Sequence, residues 1–174
     1  MALTTFLFDL DGTLIDSIEL ILRSYRHTMR THRGVEPPDE VWMEGLGTPL
    51  WVQFRHWTED ETEIRAMVDT YRTYNLAHHD ALVRPYDGVV AEVRRLLADG
   101  KVLGLVTSKM RGGALRGLRL AGIEDAFTVV VGSDDGRLYM VSLAEGKELW
   151  TYEIGQAVES SPAVDDGKVI VGSD

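Results

Sequence analysis

Two carboxylates one residue apart, Asp9 and Asp11, follow directly on the apolar residues Phe6, Leu7 and Phe8 and lead into Gly12, Thr13 and Leu14. An apolar run that ends in acids and then glycine reads as a buried parallel strand presenting those acids at its carboxyl end, where open α/β sheets bind ligands. Side chains alternate along a strand, so Asp9 and Asp11 point to one side and Leu10 to the other. Carboxylates this close repel unless a cation or a shared proton relieves them. A second set of polar groups, Thr107, Ser108 and Lys109, follows the apolar stretch 102–106 in the same way. Read alone, Thr107 with Ser108 is equally a helix N-cap, and a lysine at a strand end is ordinarily solvated. His78 and His79 suggest a metal, yet adjacent residues of a helix do not face one another, so the pair reads as exposed surface.

The elements that must position these groups follow from periodicity. Ile18, Ile21, Leu22, Tyr25 and Met29 recur at helical spacing, with Asp16 or Ser17 to cap the start and Gly34 to end it. After Pro37 and Pro38 come a short helix around Glu40, a glycine-bearing turn over residues 45–50, and a helical stretch with Leu50, Phe54 and Trp57 on one side. Thr58 and Glu61 form a capping box opening a helix with Ile64, Met67, Val68, Tyr71 and Tyr74 on its apolar face. Trp42, Trp51 and Trp57 read as core of this all-helical insert, residues 16–82. The α/β pattern then resumes. Asp87 can cap a helix carrying Val90, Val93, Leu96 and Leu97, residues 102–106 are a second buried strand, Leu115, Leu118 and Ile123 mark a third helix, and residues 129–131 are a third strand. Strands alternating with helices in this order predict a parallel, right-handed, doubly wound Rossmann-like sheet.

From residue 136 the pattern changes to short alternating runs divided by glycine-containing turns, which predicts an antiparallel β-meander over residues 136–174. Residues 129–134 nearly recur at 169–174, a period of about forty residues that suits propeller blades. Bulk composition sets the outer bounds. The chain has 174 residues, enough for one domain with an appendage. With 28 acidic against 18 basic side chains its formal charge is −10, which argues against nonspecific binding to nucleic acid or to an anionic membrane. Cysteine is absent, which excludes disulfides and thiolate chemistry and suits a reducing compartment. With no basic, apolar leader at the start, a cytoplasmic protein is expected.

The residues Asp9, Leu10, Asp11, Gly12 and Thr13 after an apolar strand resemble the first motif of the haloacid-dehalogenase-type phosphotransferases. The resemblance runs to about Asp135 and leans to the phosphoglycolate phosphatase and pyrophosphatase branch. Asp16 and Ser17, the stretch 84–89 leading out of the insert, and residues 105–109 as second motif carry that leaning. It implies an α/β core of residues 1–15 and 83–135 with the insert 16–82 as a helical cap. It further implies Mg²⁺-dependent hydrolysis of a small phosphorylated substrate, a phosphomonoester or pyrophosphate, through an aspartyl phosphate. Asp9 would then be the nucleophile, and Asp11 would protonate the leaving oxygen and later activate water. Thr107 would donate to the phosphoryl group, with Ser108, Lys109 and Gly12 completing the phosphate-binding set. Mg²⁺ would be held by the Asp9 carboxylate and the Asp11 backbone carbonyl. Residues 45–49 would be a substrate-specificity loop, or simply a helix–helix turn.

The same resemblance implies an impaired site. Family members continue past the third strand with a lysine before proline, then a strand ending in Gly-Asp with a further acid, and neither is recognisable here. Near Met140 the cation is Arg137, while Lys147 and Lys168 belong to turns of the meander. Phosphoryl transfer depends on positioning and electrostatics, so a missing cation and metal ligand should lower the rate steeply. One substitute is open: residues 169–174 resemble the family's Val-Gly-Asp-Ser ending, and a strand there beside the first would bring Asp174 toward Asp9 as a metal ligand. The other reading is a strand pointing away, because a one-residue displacement turns the acid to the opposite face. Residues 130–174 also resemble a single pyrroloquinoline-quinone-type propeller repeat, with Trp150 at the blade-docking position. A lone blade cannot bury both faces. The chain thus reads as a chimera of a phosphatase-type half and one blade. The alternative is a noncatalytic assembly module forming a homo-oligomer through exposed β edges.

Overall fold

Strand β1, Thr5–Phe8, is extended where the sequence is apolar, and it is met in parallel by β4, Val102–Thr107, with Phe8 opposite Leu105. β5, Val129–Gly132, adds to the far side of β4, giving the order β1-β4-β5. The computed structural model describes residues 4–132, 137–141, 148–153, 163–165 and 168–170. They fall into two compact units, one of Met1–Leu14 with Pro85–Asp174 and one of Ile15–Arg84.

In the first unit, helix α5, Val89–Ala98, precedes β4, and α6, Arg111–Ala121, leads from β4 to β5. The strand order advances in one direction, so right-handed connections place both helices on one face of the sheet. Burial agrees: Leu103 and Leu105 are wholly buried with Val93, Leu96, Ala114, Leu118 and Ile123, and Phe8 meets the Phe127 ring edge-on at 6.2 Å. On the other face Leu7 is 63% exposed and Val106 46%. Gly104 lies between them in register, and Leu7 crosses over it so closely that a Cβ there would come within 2.7 Å of Leu7 Cδ2. The helix expected to start on Asp87 starts instead on Gly88, whose φ of 83° suits glycine.

The second unit is helical, as its periodicity predicts. Short strands β2, Ile15–Asp16, and β3, Arg84–Pro85, pair with one another. Between them run α1, Ile18–Arg33, α2, Asp39–Met43, α3, Leu50–Arg55, and α4, Glu61–Leu82. Tyr25 stacks on Trp42 with ring centroids 4.2 Å apart and planes within 7°, and Met29, Phe54, Ile64, Met67 and Tyr71 close the core around them. Burial, reinforced by Tyr71, pushes the Tyr25 hydroxyl far above the usual tyrosine range. Three expectations are corrected. Asp60, not Thr58, caps α4 by accepting from the Thr62 and Glu63 N–H groups, because the Thr58 hydroxyl oxygen is taken by the Asp60 N–H. Trp51 is 38% exposed and carries the Arg55 guanidinium over its ring, so it is not core. His79 is buried, with Nδ1 2.9 Å from Asp80 Oδ1, whereas His78 is exposed.

Beyond β5, β6, Arg137–Val141, pairs antiparallel with β7, Glu148–Glu153, and β8, Ala163–Asp165, pairs antiparallel with β9, Lys168–Ile170. Among the described residues each is a two-stranded antiparallel ribbon, and the stretches of the expected meander that would join them lie outside the described residues. Residues 169 and 170 pair with β8. Asp174 itself lies outside the described residues.

The two faces of the sheet differ in what they contribute to stability. Leu105→Ala should cost about 2–5 kcal/mol, whereas Leu7→Ala on the open face should cost less than about 1 kcal/mol, as read from urea denaturation midpoints.

Candidate active site

β1 ends at Phe8, and the three residues after it divide as strand alternation requires. Asp9 is exposed, Leu10 is fully buried, and Asp11 is partly covered. The chain then turns tightly: the Thr13 and Leu14 N–H groups donate to the Leu10 carbonyl at 3.2 and 2.9 Å. Gly12 makes that turn at φ 77° with open space where a Cβ would stand, so glycine is needed for backbone conformation rather than for room. Asp9 forms no hydrogen bond or ion pair with any described residue.

Asp11 is held. The Lys109 ammonium donates to both of its oxygens, at 2.9 and 3.1 Å, with side chains 25% and 18% exposed. This corrects the ordinary expectation of a solvated lysine. It arises because β4 runs parallel beside β1, so the residues past both strand ends leave the sheet at one edge. Thr107, the last residue of β4, is 9% exposed, and its hydroxyl oxygen accepts the Lys109 backbone N–H at 3.3 Å. Its O–H remains available as a donor to a ligand, since one hydroxyl can accept and donate at once. Neither Thr107 nor Ser108 caps α6, whose N-cap is Met110; Ser108 is exposed.

Lys109 thus joins Asp11 and Thr107 at the carboxyl edge of β1 and β4, where Asp9 also follows β1, with Gly12 in the first loop and Ser108 in the second. Two carboxylates and one ammonium leave a net negative charge, which a phosphate would meet unfavourably without a further cation. The donors are carboxylate and carbonyl oxygens, the set a hard ion such as Mg²⁺ prefers. Among the described residues no three acids or histidines cluster as a complete metal site. No helix among them is long and apolar enough to cross a membrane.

The chain is similar to known proteins over most of its length. The family profile described as haloacid dehalogenase-like hydrolase matches residues 6–138. Pyrophosphatase PpaX of Halalkalibacterium halodurans is 43% identical over 135 residues, 78% of this chain and 62% of its own length. The protein of the same name from Bacillus cereus is 39% identical over 135 residues with the same coverage. A solved haloacid dehalogenase-like family hydrolase from Streptococcus pneumoniae superposes with a TM-score of 0.66 at 27% identity, over 75% of this chain and 61% of that one. Protein tyrosine kinase A of Mycobacterium tuberculosis superposes with a TM-score of 0.65 at 32% identity, over 75% of this chain and 60% of that one. The chain therefore spans less than two thirds of the length of the curated relatives it matches.

One structural residue escaped the sequence reading. Gln53 is 5% exposed, and its amide donates to the Gly45 carbonyl at 2.7 Å and the Thr48 carbonyl at 3.2 Å, pinning the turn over residues 45–49. A signal was present, since Gln53 falls on the same helical face as Leu50, Phe54 and Trp57. A Cβ at Gly45 would stand 2.9 Å from Gln53 Oε1, which is why glycine occupies that position. Gln53→Leu should destabilise the helical unit by about 1–2 kcal/mol, because the Thr48 carbonyl loses its side-chain donor and the Gly45 carbonyl keeps only the Thr48 hydroxyl and N–H, and thermal unfolding followed by circular dichroism reads the loss.

Proposed function

The chain belongs to the haloacid dehalogenase-like hydrolases, and from that membership and the paired carboxylates after β1 we propose that it cleaves phosphorus–oxygen bonds by way of Asp9. The observation that carries the proposal is the contrast between the two acids. Asp9 is exposed and unengaged, as a nucleophile must be, whereas Asp11 is held in one orientation by Lys109. In the proposed reaction an Asp9 carboxylate oxygen attacks phosphorus, the bond to the leaving oxygen breaks with its electron pair, and Asp11 supplies the proton that oxygen needs. Asp11 then takes a proton from the water that attacks the aspartyl phosphate, which regenerates Asp9 and releases phosphate. The Thr107 hydroxyl donates to the phosphoryl oxygens throughout, with Ser108 and the Gly12 loop beside it.

A Mg²⁺ ion would be held by the Asp9 carboxylate and the Asp11 main-chain carbonyl, and when bound it offsets the charge that carboxylate and phosphate bring together. Substrates are small phosphorylated molecules, with pyrophosphate and phosphoglycolate the first to test. The pyrophosphatases that resemble this chain support that choice. Turnover by this chain is proposed to be weak, because one carboxylate and one main-chain carbonyl give Mg²⁺ an incomplete oxygen shell. Residues 130–174 keep their reading as a propeller-type addition, supported by the near-recurrence of residues 129–134 at 169–174.

The test is hydrolysis of pyrophosphate, phosphoglycolate and p-nitrophenyl phosphate with Mg²⁺. Asp9→Asn should lower turnover roughly 10³-fold or more, and chelation should abolish it. Turnover that survives Asp9→Asn would overturn the assignment. Vigorous turnover lost on that change would keep the assignment and refute the proposed weakness.

A further inference from the structure

We infer that this site receives its Mg²⁺ with the substrate: the species it accepts is a preformed Mg²⁺ complex of a diphosphate, and the chain alone holds the ion weakly. The inference rests on the phosphoryl-transfer reading above and narrows its substrate class. Mg²⁺ demands octahedral oxygen coordination and gives up water reluctantly. After β1 the chain offers it the Asp9 carboxylate, which is exposed, and the Asp11 main-chain carbonyl. The Asp11 carboxylate does not serve as a third ligand while Lys109 donates to both of its oxygens at 2.9 and 3.1 Å, since a metal cation there would stand against the ammonium. Asp16, the next acid along the chain, accepts the Ile18 N–H at 3.2 Å. Among the described residues no three acids or histidines gather to complete a shell.

What the protein leaves open the substrate must fill. A phosphomonoester brings one phosphoryl group to the ion, whereas a diphosphate brings an oxygen from each of two and holds the ion as a chelate. Mg²⁺ is ordinarily bound by one or two carboxylates together with substrate phosphates, so a site with few protein ligands suits an ion that arrives already chelated. Charge points the same way. Two carboxylates against one ammonium leave this edge of the sheet negative, and a bare diphosphate would meet repulsion that its own Mg²⁺ lessens. The exposure of Asp9 suits a carboxylate that meets its ion as a complex coming from solution.

Calorimetric titration of MgCl₂ into the full chain without substrate should give a dissociation constant above about 10 mM. In a second titration methylenediphosphonate, whose bridging carbon resists cleavage, stands in for pyrophosphate. Its affinity should rise roughly tenfold or more when Mg²⁺ is added, against less than about threefold for methylphosphonate. Asp9→Asn should erase that Mg²⁺-dependent gain and leave the circular dichroism spectrum unchanged. In hydrolysis, velocity at fixed pyrophosphate should rise with Mg²⁺ until the substrate is fully complexed and then stay level. Three results would each overturn the inference: submillimolar binding of Mg²⁺ by the substrate-free chain, an equal Mg²⁺ effect on both phosphonates, or velocity that still rises with free Mg²⁺ once the substrate is complexed. Pyrophosphate turnover lost in Asp9→Asn would in that case leave the hydrolase reading standing. A chain that binds neither phosphonate and hydrolyses no substrate would overturn both.

Discussion

The charge balance at the end of β1 is the constraint from which the site follows. Two acids separated by one residue on a strand project to the same side, and that arrangement is unfavourable unless something positive stands beside it. The relief comes from Lys109, 98 residues further along the chain than Asp11. It can reach because β1 and β4 are parallel neighbours in a register that sets Phe8 opposite Leu105. A shift of that register by one residue would turn Leu105 out of the core and Thr107 away from the site together. The burial of Leu103 and Leu105 thus does more than hold the sheet. It fixes the height at which Thr107 and Lys109 leave it, and so selects which acid is paired and which is left exposed.

The same winding that aligns the strand ends leaves the sheet uneven. Both helices of the first unit follow connections that advance from β1 to β4 to β5, so both fall on one face. Val102, Gly104 and Val106 of β4, with Leu7 of β1, make the other. Leu7, Val102 and Val106 stay substantially exposed there, and Leu7 folds over Gly104 to shelter some apolar surface. A layer on that face would remove these side chains from water at about 25 cal/mol per Å². The carboxyl edge carrying Asp9, Asp11 and Lys109 thus stands on a sheet that, among the described residues, leaves Leu7, Val102 and Val106 exposed on one face.

Much of this was legible in the residues because it depends on local pattern. The strand ending in Asp9 and Asp11, the helical insert and the alternation of strand and helix all rest on periods of 2 and 3.6, and these survive folding unchanged. What was not legible depends on competition between neighbours. Thr58 and Asp60 are both good N-caps, and the choice fell to Asp60 only because its own N–H engages the threonine. Asp87 yields to Gly88 because the turn into α5 needs a positive φ. Trp51 and Trp57 look alike in sequence, yet Trp51 lies on the outer side of α3 beneath Arg55. His79 turns inward from the same helix on which His78 turns outward, a difference that adjacency alone made certain without saying which would be buried. Lys109 was hardest to place, since no local pattern distinguishes a lysine that reaches back to another strand from one that ends in water.

The beginning of α6 shows how such a long-range contact still leaves a local trace. Arg111, Gly112 and Gly113 are a poor way to open a helix, because each glycine inside one costs roughly 0.5–1 kcal/mol relative to alanine. No side-chain cap offsets that cost, since the N-cap is Met110. The two glycines differ in what surrounds them: a Cβ on Gly112 would meet nothing within 4 Å, whereas one on Gly113 would stand 3.2 Å from Lys109 Cε and in ordinary contact with Cγ and Cδ. Gly113 is therefore explained by the lysine stem and Gly112 by nothing in its surroundings. A helix that accepts a weak first turn in order to seat a lysine is shaped by the site at its end, not by its own stability. In this fold the local disagreement between sequence and helix propensity marks the place where a residue from the second strand is directed onto an acid of the first.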